Sequence, residues 1–355
     1  MILIGDCREK MKELIADGVK VQMCVTSPPY WGLRDYGVEG QLGMEDTPDA
    51  YVQNMVEVFR LVRELLADDG TLWLNLGDSY AGNAKEISSF RSGAGQNSQV
   101  QGGSSVTGNR NGLPAPVGLK PKDLVGIPWR TAFALQKDGW YLRSDIIWHK
   151  PNPMPESVKD RPTKSHEYIF LFTKNQKYYY DYKAILEEAN YDGRKDTMMK
   201  GSDKYKNGFV PNQPEQSFHA RGNERWQRIP RKNDDTDYAG NGTKAKEHSG
   251  CSMNNPEYAM MRNKRSVWTV NTQPYREAHF ATFPPALITP CILAGSKSGD
   301  TVLDPFFGSG TTGEVAEKLG RKWIGIDLNP KYESLQRKRT AQMGLTRWEN
   351  DNSTD

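Results

Sequence analysis

The sequence predicts an α/β fold, a mostly parallel sheet with helices on both faces and an inserted polar region. Three observations carry this. Short apolar runs alternate with amphipathic helical stretches over the first eighty residues, the alternation that builds parallel sheets. The same alternation returns between residues 300 and 340. Between them lie two segments whose composition departs from the rest of the chain.

The elements follow in order. "MILIG" reads as a short strand, and "REKMKELIADG" as a helix with Met11, Leu14 and Ile15 on one face and Gly18 as its stop. "VQMCV" (Val21 to Val25) is a buried strand that ends at Ser27-Pro28-Pro29-Tyr30. Two prolines lack the N–H needed to continue a ladder or a helix. The tetrad is therefore a stiff, extended loop that sets an exposed aromatic at a strand's C-terminal edge, where open α/β sheets bind ligands. A longer helix places Val52, Met55, Val56, Phe59, Val62 and Leu66 at helical spacing before Gly70. "GTLWLNLGDSY" is the next buried strand.

From Gly82 to about Gly118 the chain is Gly, Ser, Gln and Asn with almost no apolar anchor, which predicts a flexible insertion. A helix is expected over about Val125 to Asp138, then strands at "SDIIWHK" and "HEYIFLFTK", with "KYYYDY" as a third candidate. Between Arg194 and Arg265 there are 15 Lys and Arg against 9 Asp and Glu, a local +6 in a chain whose formal charge is only +3. Tyr205, Phe209, Phe218 and Trp226 are interleaved with these cations. Such a mixture suits phosphate contacts with base-edge readout, and equally a solvated, loosely folded insert.

Near the C-terminus, "TVLD" is a strand, "PFFGSG" a glycine turn, and Thr311 to Leu319 a helix closed by Gly320. "KWIGID" is another strand, ending on Asp327, and Asn329-Pro330 has the N-cap and N1 pattern of a further helix. Strand, tight turn and helix make a nucleotide cradle. Gly308 and Gly310 let backbone approach a ligand, and the acid ending the second strand is placed for a ribose diol. The turn lacks the Lys-Ser/Thr of a P-loop, and Phe307 stands where G-x-G-x-x-G needs its first glycine.

Composition bounds the rest. With 355 residues, 26% charged and 36% hydrophobic, the chain suits one large soluble domain with an insert. No apolar run is long enough to span a bilayer, and "MILIGDCREK" lacks the plan of a signal peptide. Cys7, Cys24, Cys251 and Cys291 show no C-x-x-C spacing, so a reducing cytoplasm is the expected location. The five histidines form no H-x-x-x-H pair, and no metal is expected.

With "TSPPY" early and "DPFFGSG" late, the chain resembles the S-adenosylmethionine-dependent DNA amino-methyltransferases in their permuted β arrangement. "ILIGDC" resembles that family's motif III, "HFATFPPALI" its motif X, and "IIWHKPNPMPESVKDRPTKSHEYIFLFTK" the strands and loop beside the target base. The resemblance covers about Met1–Ala81, Leu119–Tyr182 and Val267–Arg339. It implies a Rossmann-like methyltransferase sheet with a catalytic half at 1–81 and a polar insertion at 82–118. Core strands at 119–182 and a target-recognition insert at 183–266 follow, then a cofactor-binding half at 267–343 and a polar tail at 344–355.

The resemblance also implies roles. Asp304, Pro305, Phe306, Phe307, Gly308, Gly310 and Asp327 would bind S-adenosylmethionine, with Asp6 and Cys7 near its adenine and Thr282 near its methionine end. Ser27, Pro28, Pro29 and Tyr30 would grip a flipped base in double-stranded DNA. An exocyclic amine is a poor nucleophile because its lone pair is delocalised into the ring. The Pro28 carbonyl and Ser27 Oγ, aimed at its two hydrogens, would localise that pair, with Tyr30 stacked on the base. Arg221, Arg225, Trp226, Arg228, Arg231, Lys232, Lys264 and Arg265 are the candidate DNA contacts.

Within the family that the chain resembles, Thr-Ser-Pro-Pro-Tyr is associated mainly with cytosine N4 and Asp-Pro-Pro-Tyr with adenine N6, so the resemblance favours N4 as the target and leaves N6 as the alternative. Protein glutamine methylation would call for Asn in place of Ser27, and a non-catalytic DNA-binding module would predict decayed motifs. Cytosine C5 chemistry needs an activated thiolate, but Cys291 lies in the apolar helix-like run "PPALITPCILAG". A homodimer and a cognate restriction endonuclease are the protein partners the resemblance admits.

Overall fold

The computed structural model describes residues 1–33, 35–81, 118–188, 261–273 and 283–340. Strands β1 (Ile2–Ile4), β2 (Val21–Thr26), β3 (Leu66–Leu76), β4 (Tyr141–His149) and β5 (His166–Thr173) belong to the main sheet. Strands β6 (Glu187–Glu188) and β7 (Met261–Arg262) pair only with each other, in a separate compact unit, Leu186–Asn263. Within it Arg262 Nε donates to Glu187 Oε1 at 2.9 Å. Strands β8 (Val267–Thr269), β9 (Thr301–Asp304) and β10 (Lys322–Asp327) complete a sheet of order β1-β10-β9-β2-β3-β5-β4-β8. Every pairing is parallel except those of β5 with β3 and β4.

The helices form where the apolar spacing places them. Helix α1 (Cys7–Ala16) starts at Asp6, whose side chain accepts from Arg8 N at 2.7 Å. Helix α2 (Pro48–Leu65) is capped by Thr47 and carries Pro48 in its first turn, where a missing N–H costs nothing. Helices α3 (Ile127–Lys137), α4 (Pro285–Gly295), α5 (Thr311–Lys318) and α6 (333–340) complete the set. Asn329 Oδ1 accepts from Lys331 N at 3.1 Å and caps the 3-10 turn that leads into α6.

The centre of the sheet, around β9, β2 and β3, is buried on both faces, as parallel strands covered by helices require. Cys24, Leu72, Leu74, Leu303, Phe170 and Phe172 point into one core with α1, α2 and α3, around Met11, Tyr51, Phe59 and Leu135. Met23, Val25, Trp73, Val302, Ile169 and Leu171 point the other way, onto α4 and α5, against Leu287, Cys291 and Val315. Alternate residues of one strand thus serve opposite layers.

Two expectations need correction. "KYYYDY" is not a strand: Tyr179 N donates to Asp69 O, Asp181 N donates to Ala294 O, and Tyr180 stacks on Trp73 at 6.3 Å. Its backbone partners are one residue near the start of β3 and a helix end, and no ladder forms. Val267–Thr269, which had no strand assignment, adds in parallel to β4 at the sheet's edge. The polar stretch 82–117 and the cationic residues Arg221 to Lys232 lie outside the described residues, as does Thr282.

Candidate active site

Strands β9 and β2 are neighbours, but the chain leaves them in opposite directions across the sheet, β9 to β10 and β2 to β3. Such a switch point opens a crevice at the strands' C-terminal ends. Asp304 ends β9 and Thr26 ends β2, and the two are joined across it. Asp304 Oδ1 accepts from Thr26 Oγ1 at 2.6 Å and from Phe306 N at 3.0 Å, while Oδ2 accepts from Thr312 Oγ1 at 2.6 Å. One buried carboxylate therefore ties the Ser-Pro-Pro-Tyr loop to the glycine turn and to the start of α5. Burial pushes its pKa up to about 6, against the pull of these three donors.

The loop that follows Thr26 is held from behind. Tyr51 Oη donates to the Pro29 carbonyl at 3.0 Å, and a Cβ on Gly43 would meet Pro29 Cβ and Tyr30 O at 3.2 Å each. Among the described residues no donor reaches the Pro28 carbonyl. Tyr30 is half-buried rather than exposed, because its ring lies across Gly77, where a Cβ would come within 2.5 Å of it. Its hydroxyl turns inward. Tyr30 Oη lies 2.8 Å from Glu167 Oε2 and 3.1 Å from Asn75 Oδ1, and Ser27 Oγ donates to it at 3.4 Å. Lys150 Nζ pairs with Glu167 Oε1. Burial and the nearby Glu167 charge hold the Tyr30 phenol well above its ordinary pKa.

On the other side of the crevice, Gly308 and Gly310 have φ of 52° and 85°, left-handed conformations that favour glycine. Phe307 is 3% exposed. Its ring stacks on Trp323 at 5.2 Å and fills the spaces over Gly313 and Gly325, where a Cβ would come within 2.7 and 2.3 Å. Over Gly308 the space is open, with nothing nearer than the Phe306 carbonyl at 3.8 Å. Phe306 and Gly308 are thus the partly exposed members of the turn, and Pro305, Phe307 and Gly310 are buried.

Asp327 ends β10 beside this opening. Its Oδ1 accepts from Asn329 N at 2.8 Å and its Oδ2 from Gln336 Nε2 at 3.0 Å. The same Gln336 amide donates to the Gly308 carbonyl at 2.7 Å, and its buried Oε1 has no partner. Burial pushes Asp327 up to about 6 as well, with the Asp304 charge adding to it. From α6, Arg339 donates to Ser309 Oγ and Glu314 Oε2, each at 2.6 Å, pinning the turn from below.

Strand β1 lies in register with β10, Ile4 opposite Asp327, and Gly5 N donates to Asp327 O at 2.9 Å. Asp6 and Cys7 are thereby brought beside the Asp327 end of the crevice. The Asp6 carboxylate is already engaged by the Arg8 backbone and guanidinium, which lower its pKa. Cys7 is buried and its thiol pushed up to about 12. Cys291 is buried too and pushed higher by desolvation, which fits a structural cysteine.

Comparison with known proteins assigns this arrangement. The N6_N4_Mtase family, described as DNA methylase, matches residues 21–338. The chain belongs to that family. It is 44% identical over 338 residues to the type II methyltransferase M.SmaI of Serratia marcescens, covering 95% of this chain and 89% of that protein. It is 42% identical over 332 residues to M.XycI of Xanthomonas campestris pv. cyanopsidis, covering 93% and 84%. The fold matches that of PvuII DNA methyltransferase (cytosine-N4-specific) with a TM-score of 0.55 at 16% identity, covering 96% of this chain and 85% of that one. This chain is accordingly an S-adenosylmethionine-dependent DNA methyltransferase of the N4/N6 class.

The crevice fits that cofactor's nucleoside. Open space over Gly308, the Asp327 carboxylate and the unpartnered Gln336 Oε1 together offer acceptors to hydroxyl or amino donors. The Ser-Pro-Pro-Tyr loop, the glycine turn, Asp327 and the Asp6–Cys7 end of β1 lie around this crevice. Asp304 and Asp6 spend their carboxylates on protein donors, and Phe307 spends its ring on packing. Lys264 and Arg265 sit beside β8, with Lys264 Nζ 5.2 Å from the Trp268 ring centre and the Arg265 carbonyl accepting from Trp268 Nε1. Sequence reading missed Asn75, Lys150, Glu167, Thr312, Gln336 and Arg339. A polar residue inside an apolar strand, such as Asn75 in "LWLNL", was the available signal.

Proposed function

We propose that this methyltransferase transfers a methyl group to the exocyclic N4 of a flipped cytosine, at a specific site in double-stranded DNA. Ser27 Oγ carries the reading of an exocyclic amine as the target, and the Thr-Ser-Pro-Pro-Tyr sequence favours cytosine as the base. Ser27 sits one residue after the Thr26–Asp304 link, donates a hydrogen bond to the Tyr30 hydroxyl, and so keeps lone pairs for an amine. S-adenosylmethionine supplies an electrophilic methyl on a sulfonium. The chain's part is to hold the amine in line with it. Ser27 Oγ and the Pro28 carbonyl accept the amine's two hydrogens, which moves the nitrogen towards sp3 and localises its lone pair. Proline rigidity and the Tyr51 bond to Pro29 preorganise those acceptors, so they need no reorganisation during transfer. The half-exposed Tyr30 ring offers a stacking face to the base.

Asp327, Phe306 and Gly308 line the cofactor's place in this reading, with Pro305 and Gly310 shaping the turn, Asp6 and Cys7 at the adenine end and Thr282 at the methionine end. Asp304 and Phe307 act one step back, fixing the turn. Arg221, Arg225, Trp226, Arg228, Arg231, Lys232, Lys264 and Arg265 contact DNA, and the protein works in the cytoplasm. No described helix is long and apolar enough to cross a membrane.

The test is mass spectrometry of nucleosides from unmethylated duplex DNA incubated with the protein and S-adenosylmethionine. N4-methylcytosine is expected. N6-methyladenine would keep the chemistry and overturn the base assignment.

A further inference from the structure

Ser27 can serve as an acceptor only if its own proton points elsewhere, and a serine hydroxyl is free to rotate. The surroundings of Tyr30 remove that freedom. Its phenol has one proton and faces two acceptors, Glu167 Oε2 at 2.8 Å and Asn75 Oδ1 at 3.1 Å. Asn75 cannot be turned round at no cost, because its Nδ2 donates to the Tyr168 carbonyl at 3.0 Å and lies 3.3 Å from Glu167 Oε2. The phenolic proton is therefore committed to the Asn75–Glu167 side. What Tyr30 presents to Ser27 is a lone pair, so the 3.4 Å contact has Ser27 as donor. Glu167 is itself held in place by Lys150, whose Nζ lies over the Trp148 ring at 4.2 Å.

We infer that Glu167 and Asn75 are positioning residues for catalysis: acting through the Tyr30 hydroxyl, they orient Ser27 Oγ as an acceptor for the target amine. Tyr30 then has two separable duties, its ring towards the base and its hydroxyl towards Ser27. This rests on the reading of Ser27 as the amine's acceptor. The high pKa of the buried phenol keeps the Tyr30 proton on at neutral pH, which the arrangement requires.

The experiment is single-turnover methylation of unmethylated DNA by Tyr30→Phe, Glu167→Gln, Ser27→Ala and the Ser27→Ala/Tyr30→Phe double variant. S-adenosylmethionine binding is titrated by calorimetry and folding checked by thermal melting. Tyr30→Phe keeps the ring and frees the serine proton. The rate should fall about tenfold, the effect of one misdirected hydrogen bond, with cofactor affinity unchanged. In Glu167→Gln the Lys150 ammonium selects the amide oxygen, so an N–H competes for the Tyr30 lone pairs. The rate should lie between those of wild type and Tyr30→Phe. In the Ser27→Ala background, Tyr30→Phe should cost nothing more, because residues acting as one unit are not additive. A wild-type rate for Tyr30→Phe, or an equal loss with and without Ser27, overturns the inference. A wild-type rate for Ser27→Ala alone would instead overturn the clamp on which it rests.

Discussion

Replacing Asp304 by Asn tests the buried link between the two halves of the site. Asp304 is 1% exposed and its carboxyl is pushed up to about 6 from an ordinary 3.8. Burial disfavours its charge by more than Thr26, Thr312 and Phe306 N recover. That difference corresponds to about 3 kcal/mol favouring the protonated form in the folded chain. A carboxyl raised in this way contributes its stability below the unfolded value of 3.8 and loses it as pH rises through about 6. Asn does not titrate. The stability of the wild type relative to Asp304→Asn should therefore fall by about 3 kcal/mol between about pH 4 and about pH 7. Removing the Asp304 charge also relieves Asp327, which changes the comparison in the same direction. Urea unfolding of both proteins across that range measures it. Parallel stability curves would refute the reasoning, since they would mean that the carboxylate is solvated or that its pKa is ordinary.

Two further outcomes follow from the same geometry, and a third from the sequence. Asp327→Ala should weaken S-adenosylmethionine binding by at least about tenfold, the scale of one charged hydrogen bond; an unchanged dissociation constant in calorimetry would remove Asp327 from the cofactor site. Phe307→Ala should destabilise the fold by about 3–5 kcal/mol, because the ring fills the spaces over Gly313 and Gly325 that no neighbour can enter. A loss of cofactor affinity without a loss of stability would instead place Phe307 in contact with the ligand. Arg228→Ala should reduce the slope of log affinity for DNA against log salt by about 0.9, one phosphate contact fewer. An unchanged slope would exclude it as a phosphate ligand.

The core elements were legible because each carries its own local cause. Apolar spacing, the Thr47 and Asp6 caps, and glycine stops at Gly18 and Gly320 act within one turn of chain. The Ser-Pro-Pro-Tyr loop and the Phe-Phe-Gly-Ser-Gly turn were legible for the same reason, since proline fixes φ and glycine takes left-handed φ without a Cβ penalty wherever they stand. "KYYYDY" misled because aromatic residues favour any half-buried surface, and here that surface is Trp73 rather than a sheet edge.

Partnerships at long sequence separation were not legible. That Asp304 meets Thr26, 278 residues away, depends on β9 and β2 being neighbours in the sheet. That Glu167 meets Tyr30, 137 residues away, depends on β5 running antiparallel beside β3, with Tyr168 in register opposite Leu76. Sequence alone determined that two rigid loops would end two strands, and what chemistry their residue types suit. Only the tertiary structure decided which acids face the crevice, which are spent holding it together, and which way the serine proton points. Backbone preference is local, whereas hydrogen-bond partnership is decided by sheet order and register.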